Sequence, residues 1–448
     1  MLRKPSALCG LGLTLLPLLL SGCGPQEAPI SEATVAAPSA DGTVRAAAPL
    51  TEAELELRRE RIRAYFRARL GRLNNVATTR TDSGQVIDWV PAPRDVPELP
   101  PPEAEKRPEG ARPLPDVPGP EDKDLPVRTE LQLQPWAQGP AGTVPVVRFD
   151  VENYLRLDSE PPENPEDVFK RIPAPSPASN DRYYGNWNKT TGGPFFGSAA
   201  IVNIWDTPGP VNNETSIAQV AVMRGSPLQA IEVGKIELES LNGTKQPHLF
   251  TFFRTNGSED GDWEGGYNQL CDGWRQVSKT IVPGAQLVGT SAPGGTQYIM
   301  DIKVRLHEGN WWVWVLGEWI GYYPRCKYND PSPTCKEEGF LFSTAGIRNN
   351  ADTLTWFGEV FDSSAPEATS TQMGSGRFAS EGWSHAAYFR NLTFFWAPTT
   401  YWWWDGSSKP VATDANCYSV SEPTFSSTSS TKNRFFYGGP GRAASGCR

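Results

Sequence analysis

The stretch SPLQAIEVGKIELES, residues 226–240, alternates like a β-strand but places a carboxylate on its apolar face. A strand sends successive side chains to opposite faces. One face carries Ile231, Val233, Lys235, Glu237 and Glu239, and the other carries Ala230, Glu232, Gly234, Ile236 and Leu238. Glu232 therefore points the same way as Ile236 and Leu238. Because an ionised carboxylate is costly to bury without a partner, this position needs an explanation.

A second strand with an unexpected glutamate is DTLTWFGEVFDSS, residues 352–364. Glu359 alternates with Phe357 and Phe361, and the opposite face is apolar as well. We therefore predict a strand that is buried on both faces. Two carboxyls that share a site cannot both ionise easily, so one keeps its proton. The two glutamates are explained if they belong to one site, although an inward glutamate in a strand is more often a paired structural charge.

The chain from about residue 128 onward consists of similar strand-like segments. Short apolar or aromatic runs such as GSAAIVNIW, HLFTFFRT and HAAYFRNLTFF alternate with turn residues. The 448 residues include 16 Trp, 42 Gly and 42 Pro, a composition that favours sheet and turn over helix. Short strands at regular spacing predict an all-β sandwich or barrel over residues 128–448.

Charge and histidine content limit the classes of function. The formal net charge of −9 argues against a nucleic-acid surface, which needs clustered positive charge. The sequence has no CxxC motif, and its histidines are His248, His307 and His385. We therefore expect neither a metal site nor a cofactor.

Cysteine spacing suggests two disulfides, which an oxidising compartment permits. Cys326 and Cys335 flank a short loop, and Cys417 and Cys447 bracket the C-terminal tail. We pair them in that way and leave Cys271 single. A different connectivity is the alternative, since spacing alone does not fix the pairing.

The N-terminal sequence MLRKPSALCGLGLTLLPLLLSGC, residues 1–23, has the shape of an export signal. Basic residues precede an apolar run that is too short for a comfortable membrane span. Its end, LSGC, resembles the bacterial lipobox, which implies cleavage before Cys23 and a lipid on its thiol; a plain secretory signal cut nearby is the alternative. We expect a cell-envelope protein, lipid-anchored in the outer membrane of a two-membrane bacterium or secreted, with residues 24–50 as a flexible tether.

Two further segments precede the β-domain. Residues 51–90 begin with a helix, started by Thr51 and Glu54 as a capping box, and end with DSGQVIDWV, a turn and short strand. Residues 91–127 are rich in proline and charge and cannot bury enough apolar surface to fold alone. We predict an extended linker there and a separable helix-plus-strand unit before it.

Several segments resemble the neprosin family of secreted glutamic peptidases. They are SIAQVAVMRGSPLQAIEVG (216–234), GNWWVWVLGEWIGYYP (309–324), LTWFGEVF (354–361) and TSTQMGSGRFASEGWSHAAYFRN (369–391), and they follow in the family's order. The resemblance implies a β-sandwich of two curved antiparallel sheets, with endopeptidase activity at acid pH and a preference for cutting after proline. It also implies that Glu232 and Glu359 are the catalytic pair and that residues 51–90 form a removable inhibitory propeptide.

The chain departs from the family's pattern at four positions. Lys235 stands where the family has Trp, Phe357 replaces the first glycine before the second glutamate, and Gly266 replaces a cysteine. In the propeptide-like segment, Trp89 replaces another cysteine.

Within the pair we assign Glu232 as the general base and Glu359 as the protonated acid. Gly234 leaves room beside Glu232 for a water or a substrate backbone, whereas Glu359 lies between two phenylalanines. With one carboxyl charged and one neutral, activity should depend on pH as a bell-shaped curve.

Three other residues carry weaker signals. Gln219 and Gln372 are candidate donors to a developing oxyanion, and Trp311 is a candidate contact for a proline-rich peptide. A Gln bonded to backbone and a Trp packed in the core are the simpler alternatives for these side chains.

These observations favour a monomeric, membrane-tethered endopeptidase that acts on peptide or protein substrates, proline-rich ones among them. One alternative is a non-catalytic surface module that binds carbohydrate or peptide through exposed aromatic residues. Another is a glycosidase, which also uses a carboxylate pair. A binding module does not need two glutamates in apolar strands, and a glycosidase does not need a removable propeptide.

Overall fold

A computed structural model describes residues 50–93, 101–103, 124–134, 138–158, 161–165, 168, 182–207, 214–225, 228–255, 265–327, 335, 339–362, 370–406, 409–425 and 433–447. Cys23, the tether up to residue 49 and most of the linker lie outside the described residues. The α-helices among these residues are α1 (Glu52–Arg72), α2 (Glu130–Leu133), α3 (Val151–Leu157) and α4 (Glu239–Asn242). None of the described helices has the length and apolar character needed to span a membrane.

Helix α1 begins with the predicted capping box. The backbone N–H of Glu54 donates to Thr51 Oγ1 at 3.3 Å, and the backbone N–H of Thr51 donates to Glu54 Oε2 at 2.7 Å. Most of the helix surface is charged, but Ile62 and Phe66, one turn apart, are buried. The helix therefore needs an apolar surface elsewhere in the chain.

Most of the described strands form two large sheets. The seven-stranded sheet has the order β11 (Gly265–Tyr267), β10 (His248–Arg254), β9 (Gln229–Glu237), β8 (Thr215–Arg224), β17 (Ala351–Asp362), β6 (Arg182–Phe195), β20 (Val411–Ala412). The eleven-stranded sheet has the main order β12 (Arg275–Gln276), β16 (Glu318–Tyr323), β15 (Asn310–Val315), β14 (Tyr298–His307), β7 (Gly197–Asn203), β18 (Ala387–Ala397), β23 (Asn433–Gly438), β21 (Ser419–Val420). Three more strands join its sides: β19 (Thr400–Trp403), β22 (Thr424–Phe425) and β3 (Leu125–Pro126). The pairing is antiparallel except that β3 runs parallel to β14.

The two large sheets pack face to face around the main core. Val220 of β8 and Val233 of β9 share one apolar cluster with Ile302 and Val304 of β14. These side chains alternate with the polar positions on β8 and β9, so one face of each strand lies inside the sandwich. The predicted all-β sandwich is confirmed.

The opposite face of the seven-stranded sheet is covered by helices. Ile62 and Phe66 of α1 share a second apolar cluster with Tyr154 and Leu155 of α3 and with sheet residues Ile217, Ile236, Phe250, Phe252 and Tyr267. Arg63 joins the two helices through hydrogen bonds of 2.9 and 3.1 Å to the Glu152 carboxylate. Thr51–Arg448 form one compact unit, in which α1 buries its apolar stripe on the sheet. That residues 51–90 are a separable unit stays a prediction.

The DSGQVIDWV segment is bound into the body by a small three-stranded sheet. Strand β2 (Val86–Pro91) lies between β1 (Ala77–Arg80) and β5 (Thr143–Val147). The Arg148 guanidinium donates to the buried Asp88 carboxylate, with an Nε–Oδ2 distance of 2.8 Å. The N-terminal segment is therefore held by strand pairing and by an ion pair.

The Pro-rich linker is docked where the structure describes it. Strand β3 pairs with β14, and directly after the linker β4 (Arg128–Thr129) pairs with β13 (Leu287–Val288). Upstream, Arg305 Nη1 donates to the backbone oxygen of Glu103 at 3.0 Å. The linker therefore does more than separate two units.

Both predicted disulfides are confirmed. The Cα–Cα distances are 5.7 Å for Cys326–Cys335 and 4.7 Å for Cys417–Cys447. Cys271 belongs to neither disulfide, and its thiol donates to the backbone oxygen of Gly265 at 2.8 Å.

Candidate active site

Glu232 and Glu359 project from the same face of the seven-stranded sheet. Glu232 of β9 is opposite Ala221 of β8, and Glu359 of β17 is opposite Ile217 of β8. Because Ala221 and Ile217 are an even number of positions apart on β8, the two glutamates share one side. Gln219 lies midway between these positions and projects from that side too. The pairing of distant strands thus brings together three residues that the sequence singles out.

Gln219 contacts the second glutamate directly. Its Nε2 donates a hydrogen bond to Glu359 Oε2 at 2.9 Å. Glu232 and Gln219 are 0% exposed and Glu359 is 1% exposed. Within the part of the chain that the structure describes, neither carboxyl oxygen of Glu232 has a hydrogen-bond partner, and Gln219 Oε1 has none either. Since buried polar atoms are normally paired, the Glu232 carboxyl oxygens and Gln219 Oε1 are the atoms on this side of the sheet that can accept hydrogen bonds from a bound group.

Burial raises the pKa of both carboxyls, because the charged form loses its hydration. The pKa of Glu232 rises to about 7. The pKa of Glu359 rises well above its ordinary value, first through burial and then through the negative charge of Glu232. The positive charge of Arg254 opposes the rise at both glutamates. Because the two carboxyls are buried on one face, they titrate as a coupled pair, in which one keeps its proton while the other ionises.

Sequence reasoning missed Arg254 and Tyr267, which belong to the same face. Arg254 of β10 is 5% exposed and lies on the same side as Phe252, which is opposite Glu232. Tyr267 of β11 is opposite Phe252, and the charges of Glu359 and Glu232 add to burial in raising its pKa. The sequence signal that could have identified Arg254 is its position as a cation at the end of the otherwise apolar run HLFTFFR.

Apolar side chains of the N-terminal region enclose this face. Ile62 and Phe66 of α1 lie in the cluster that contains Ile217, Phe252 and Tyr267. All three sheet residues are neighbours of the glutamates in register or on the same face. In this conformation the two carboxyls are therefore shielded from solvent and from any substrate.

The neighbouring strand leaves no room for a side chain at position 234. A Cβ on Gly234 would come within 2.0 Å of the Ala218 backbone oxygen and 2.8 Å of Gln219 Cα. Close approach of β8 to β9 therefore requires the glycine, which is a different reason from the space for water that the sequence suggested.

The other two candidate residues are not seen to contact the pair. Gln372 lies in a turn with Gly374 (φ 63°) and Gly376 (φ 74°), and its side-chain oxygen packs against Gly376. Trp311 fills the sandwich core and donates from Nε1 to the Ile347 oxygen at 2.8 Å. Because β15 sends Trp311 inward, that side chain does not reach the glutamate face.

The site therefore consists of two buried carboxyls, an amide and a cation on one face of a β-sandwich. Among the described residues, no group of three or more His, Cys, Asp or Glu side chains is placed to hold a metal ion. Two carboxyls whose pKa values differ divide the roles of acid and base, which is how two-carboxylate hydrolases work.

The chain belongs to the Neprosin family. The family's model matches residues 212–440, which include Gln219, Glu232, Arg254 and Glu359. This membership supports a peptidase function.

Several solved structures resemble part of the chain. A crystal structure of scytalido-glutamic peptidase with a peptide-based transition-state analogue is 9% identical, covering 58% of this chain and 98% of that one, with a TM-score of 0.28. A tetrameric galectin from the ball sponge Cinachyrella sp. is 10% identical over 40% and 90%, with a TM-score of 0.21. Sheep galectin-11 with glycerol is 11% identical over 43% and 97%, with a TM-score of 0.20. At such TM-scores these similarities add nothing to the functional argument.

Proposed function

We propose that this protein is a glutamic endopeptidase in which Glu232 is the general base and Glu359 the general acid. The observation that carries the proposal is the pairing of two buried glutamates on one sheet face, with Gln219 between them. A purely structural glutamate would have its carboxyl oxygens paired, whereas both oxygens of Glu232 lack a partner among the described residues. That the two carboxyls lie within about 10 Å, the range of two-carboxylate hydrolases, stays a prediction.

In this mechanism the Glu232 carboxylate takes a proton from a water, whose oxygen attacks the carbonyl carbon of the peptide bond. Glu359 gives its proton to the carbonyl oxygen as negative charge develops there. The C–N bond then breaks as Glu232 passes its proton to the leaving nitrogen. Glu359 recovers a proton from a hydroxyl of the intermediate, which leaves a carboxylic acid, an amine and both glutamates as they began.

Arg254 and Gln219 have positioning roles in this scheme. The charge of Arg254 lowers the pKa of Glu232, so it favours the ionised base. The hydrogen bond from Gln219 fixes the Glu359 carboxyl and leaves its second oxygen to carry the proton.

The N-terminal region is proposed to be inhibitory. Support comes from the apolar cluster that α1 forms over the glutamate face, which a substrate would have to displace. Activity then requires that residues 51–90 leave this face, by cleavage or by weakening of their ion pairs at acid pH. A preference for proline before the cut bond is the finer form of the proposal, and it rests on the family resemblance alone.

Anchoring through a lipid on Cys23 is proposed from the LSGC sequence. Acyl chains add about 0.8 kcal/mol of membrane affinity for each buried methylene, so several chains hold a protein firmly. Cys23→Ser should move the protein from the membrane fraction to the soluble fraction. Unchanged membrane association would refute the anchor and leave the catalytic proposal untouched.

The test of function is digestion of an unfolded, proline-containing polypeptide from pH 2 to 8, with products mapped by mass spectrometry. The protein is used intact and after cutting at a site-specific protease sequence inserted in the linker. Internal cleavage that resists metal chelators and serine- and cysteine-directed reagents is expected. Absence of any cleavage product after removal of the N-terminal region would contradict the proposal.

A further inference from the structure

One residue from each of five adjacent strands forms a continuous row across the outer face of the eleven-stranded sheet. In register, Phe395 of β18 is opposite Gly197 of β7, Gly197 is opposite Arg305 of β14, Arg305 is opposite Trp312 of β15, and Trp312 is opposite Tyr322 of β16. The neighbours of Trp312 along β15 point into the core, so this row faces away from it. We call these five residues the transverse row.

The transverse row has aromatic rings on both sides of a central cation. The Arg305 guanidinium lies 5.6 Å from the centre of the Phe395 ring. On the other side, the Trp312 and Tyr322 rings are 4.6 Å apart. Gly197 has no room for a side chain, because a Cβ there would come within 2.4 Å of the Val304 backbone oxygen and 3.0 Å of the Phe395 ring. Arg305 Nε donates to the Pro398 oxygen at 2.7 Å, which fixes the guanidinium in place.

Part of the chain's own linker contacts this row at Arg305. Arg305 Nη1 donates to the Glu103 backbone oxygen at 3.0 Å, and the preceding residue, Pro102, is buried. The local sequence is ELPPPEAEK, residues 98–106. Arg305, Trp312 and Tyr322 are at most 1% exposed although they point away from the sandwich core.

The chemistry of this contact matches proline-rich recognition. A polyproline helix has no internal hydrogen bonds, so its carbonyl oxygens remain available as acceptors. Domains that bind such segments use aromatic-lined grooves. The transverse row supplies aromatic rings, and Arg305 supplies a charged donor to a backbone oxygen beside three consecutive prolines.

We propose that the transverse row is a binding site for a polyproline-type segment of another protein, separate from the glutamate face. In the intact chain, residues 101–103 occupy it. When these residues lift off or are cut away, an extended proline-rich segment of a partner takes their place. Because the row contains neither glutamate, the proposal does not depend on the catalytic function.

The test uses the full chain with Glu359→Gln, so that no peptide is cut, and with Pro101→Ser and Pro102→Ser to weaken the resident segment. The probe is a fluorescent peptide with the sequence PELPPPEAEK, followed by fluorescence anisotropy. Saturable binding is expected, at least about tenfold tighter than to the chain with its own prolines, which compete. Replacing the peptide's prolines by alanine should weaken binding by about tenfold or more.

Hydrogen exchange locates the peptide. Protection should appear in β7 and β14, the strands of Gly197 and Arg305. Arg305→Ala should weaken binding by about tenfold, the usual effect of losing a charge-assisted hydrogen bond. Trp402→Ala, an exposed aromatic (52%) elsewhere on the same sheet, should leave it unchanged.

Absence of saturable binding, or protection in β8 and β9 instead, would overturn the proposal. If Arg305→Ala does not fold, the location of protection in the chain with Arg305 intact still decides the question.

Discussion

Replacing Glu232 by Gln should stabilise the protein at neutral pH and have little effect at acid pH. The pKa of Glu232 is about 7 in the folded chain and 4.5 at its ordinary value. Because the folded state binds the proton more tightly, the charged carboxyl destabilises the fold increasingly as pH rises from 4.5 to 7, and fully above that. At 1.36 kcal/mol for each pKa unit, the cost at pH 8 is about 3 kcal/mol, against less than about 1 kcal/mol at pH 5. Glutamine removes this cost.

The assay is urea unfolding at pH 5 and pH 8, followed by tryptophan fluorescence. Glu232→Gln should raise the free energy of unfolding by about 3 kcal/mol at pH 8 and by less than about 1 kcal/mol at pH 5. Glu422→Gln, which removes an exposed carboxyl, should change it at neither pH. An equal effect of Glu232→Gln at both pH values would refute the reasoning, because it would mean that folding does not raise the pKa of this carboxyl.

Three further predictions test the surroundings of the pair. Gln219→Leu removes the donor that lowers the Glu359 pKa, so the alkaline limb of the pH–rate profile should move to higher pH and turnover should fall by about tenfold to a hundredfold. An alkaline limb at the parental pH would contradict this. Phe66→Ala, a loss of about 3–5 kcal/mol of packing, should raise peptide cleavage by the uncut chain, whereas Leu57→Ala, at a 54% exposed site on the same helix, should not. Lys235→Met leaves the Glu237 charge buried without its partner, so the free energy of unfolding should fall by about 3–5 kcal/mol at pH 8. It should fall by less at pH 5, where Glu237, with a pKa of about 7, is protonated; equal losses at the two pH values would contradict the ion pair.

The sequence predicts the faces of the glutamate strands because the two-residue period of a strand is local. Glu232 and Glu359 break apolar faces that can be read from a few residues each. The capping box of α1 is equally local, since Thr51 and Glu54 are one turn apart. Cys326 and Cys335 are also close in the chain, nine residues apart, whereas Cys417 and Cys447 are 30 residues apart. Except for this second disulfide, the interaction in each case is set by neighbours in the chain.

The features that could not be predicted from the sequence depend on strands that pair although they are far apart in the chain. Arg254 and Tyr267 reach the glutamates only because β10 and β11 extend the same sheet beyond β9. The inward direction of Trp311 depends on which face of β15 meets the partner sheet. The docking of α1 over the face that carries the glutamates also depends on tertiary packing, because its charged sequence shows only a narrow apolar stripe; the family resemblance, and not the sequence pattern, suggested it.

The most direct test of the two-glutamate mechanism is the rate of peptide cleavage by Glu232→Gln and Glu359→Gln, measured after the N-terminal region has been removed. Each variant should fold like the parent by circular dichroism and cleave at less than about a thousandth of its rate, because each lacks one half of the acid–base pair. Glu422→Gln should cleave at the parental rate. A folded Glu359→Gln variant that cleaves as fast as the parent would contradict the mechanism.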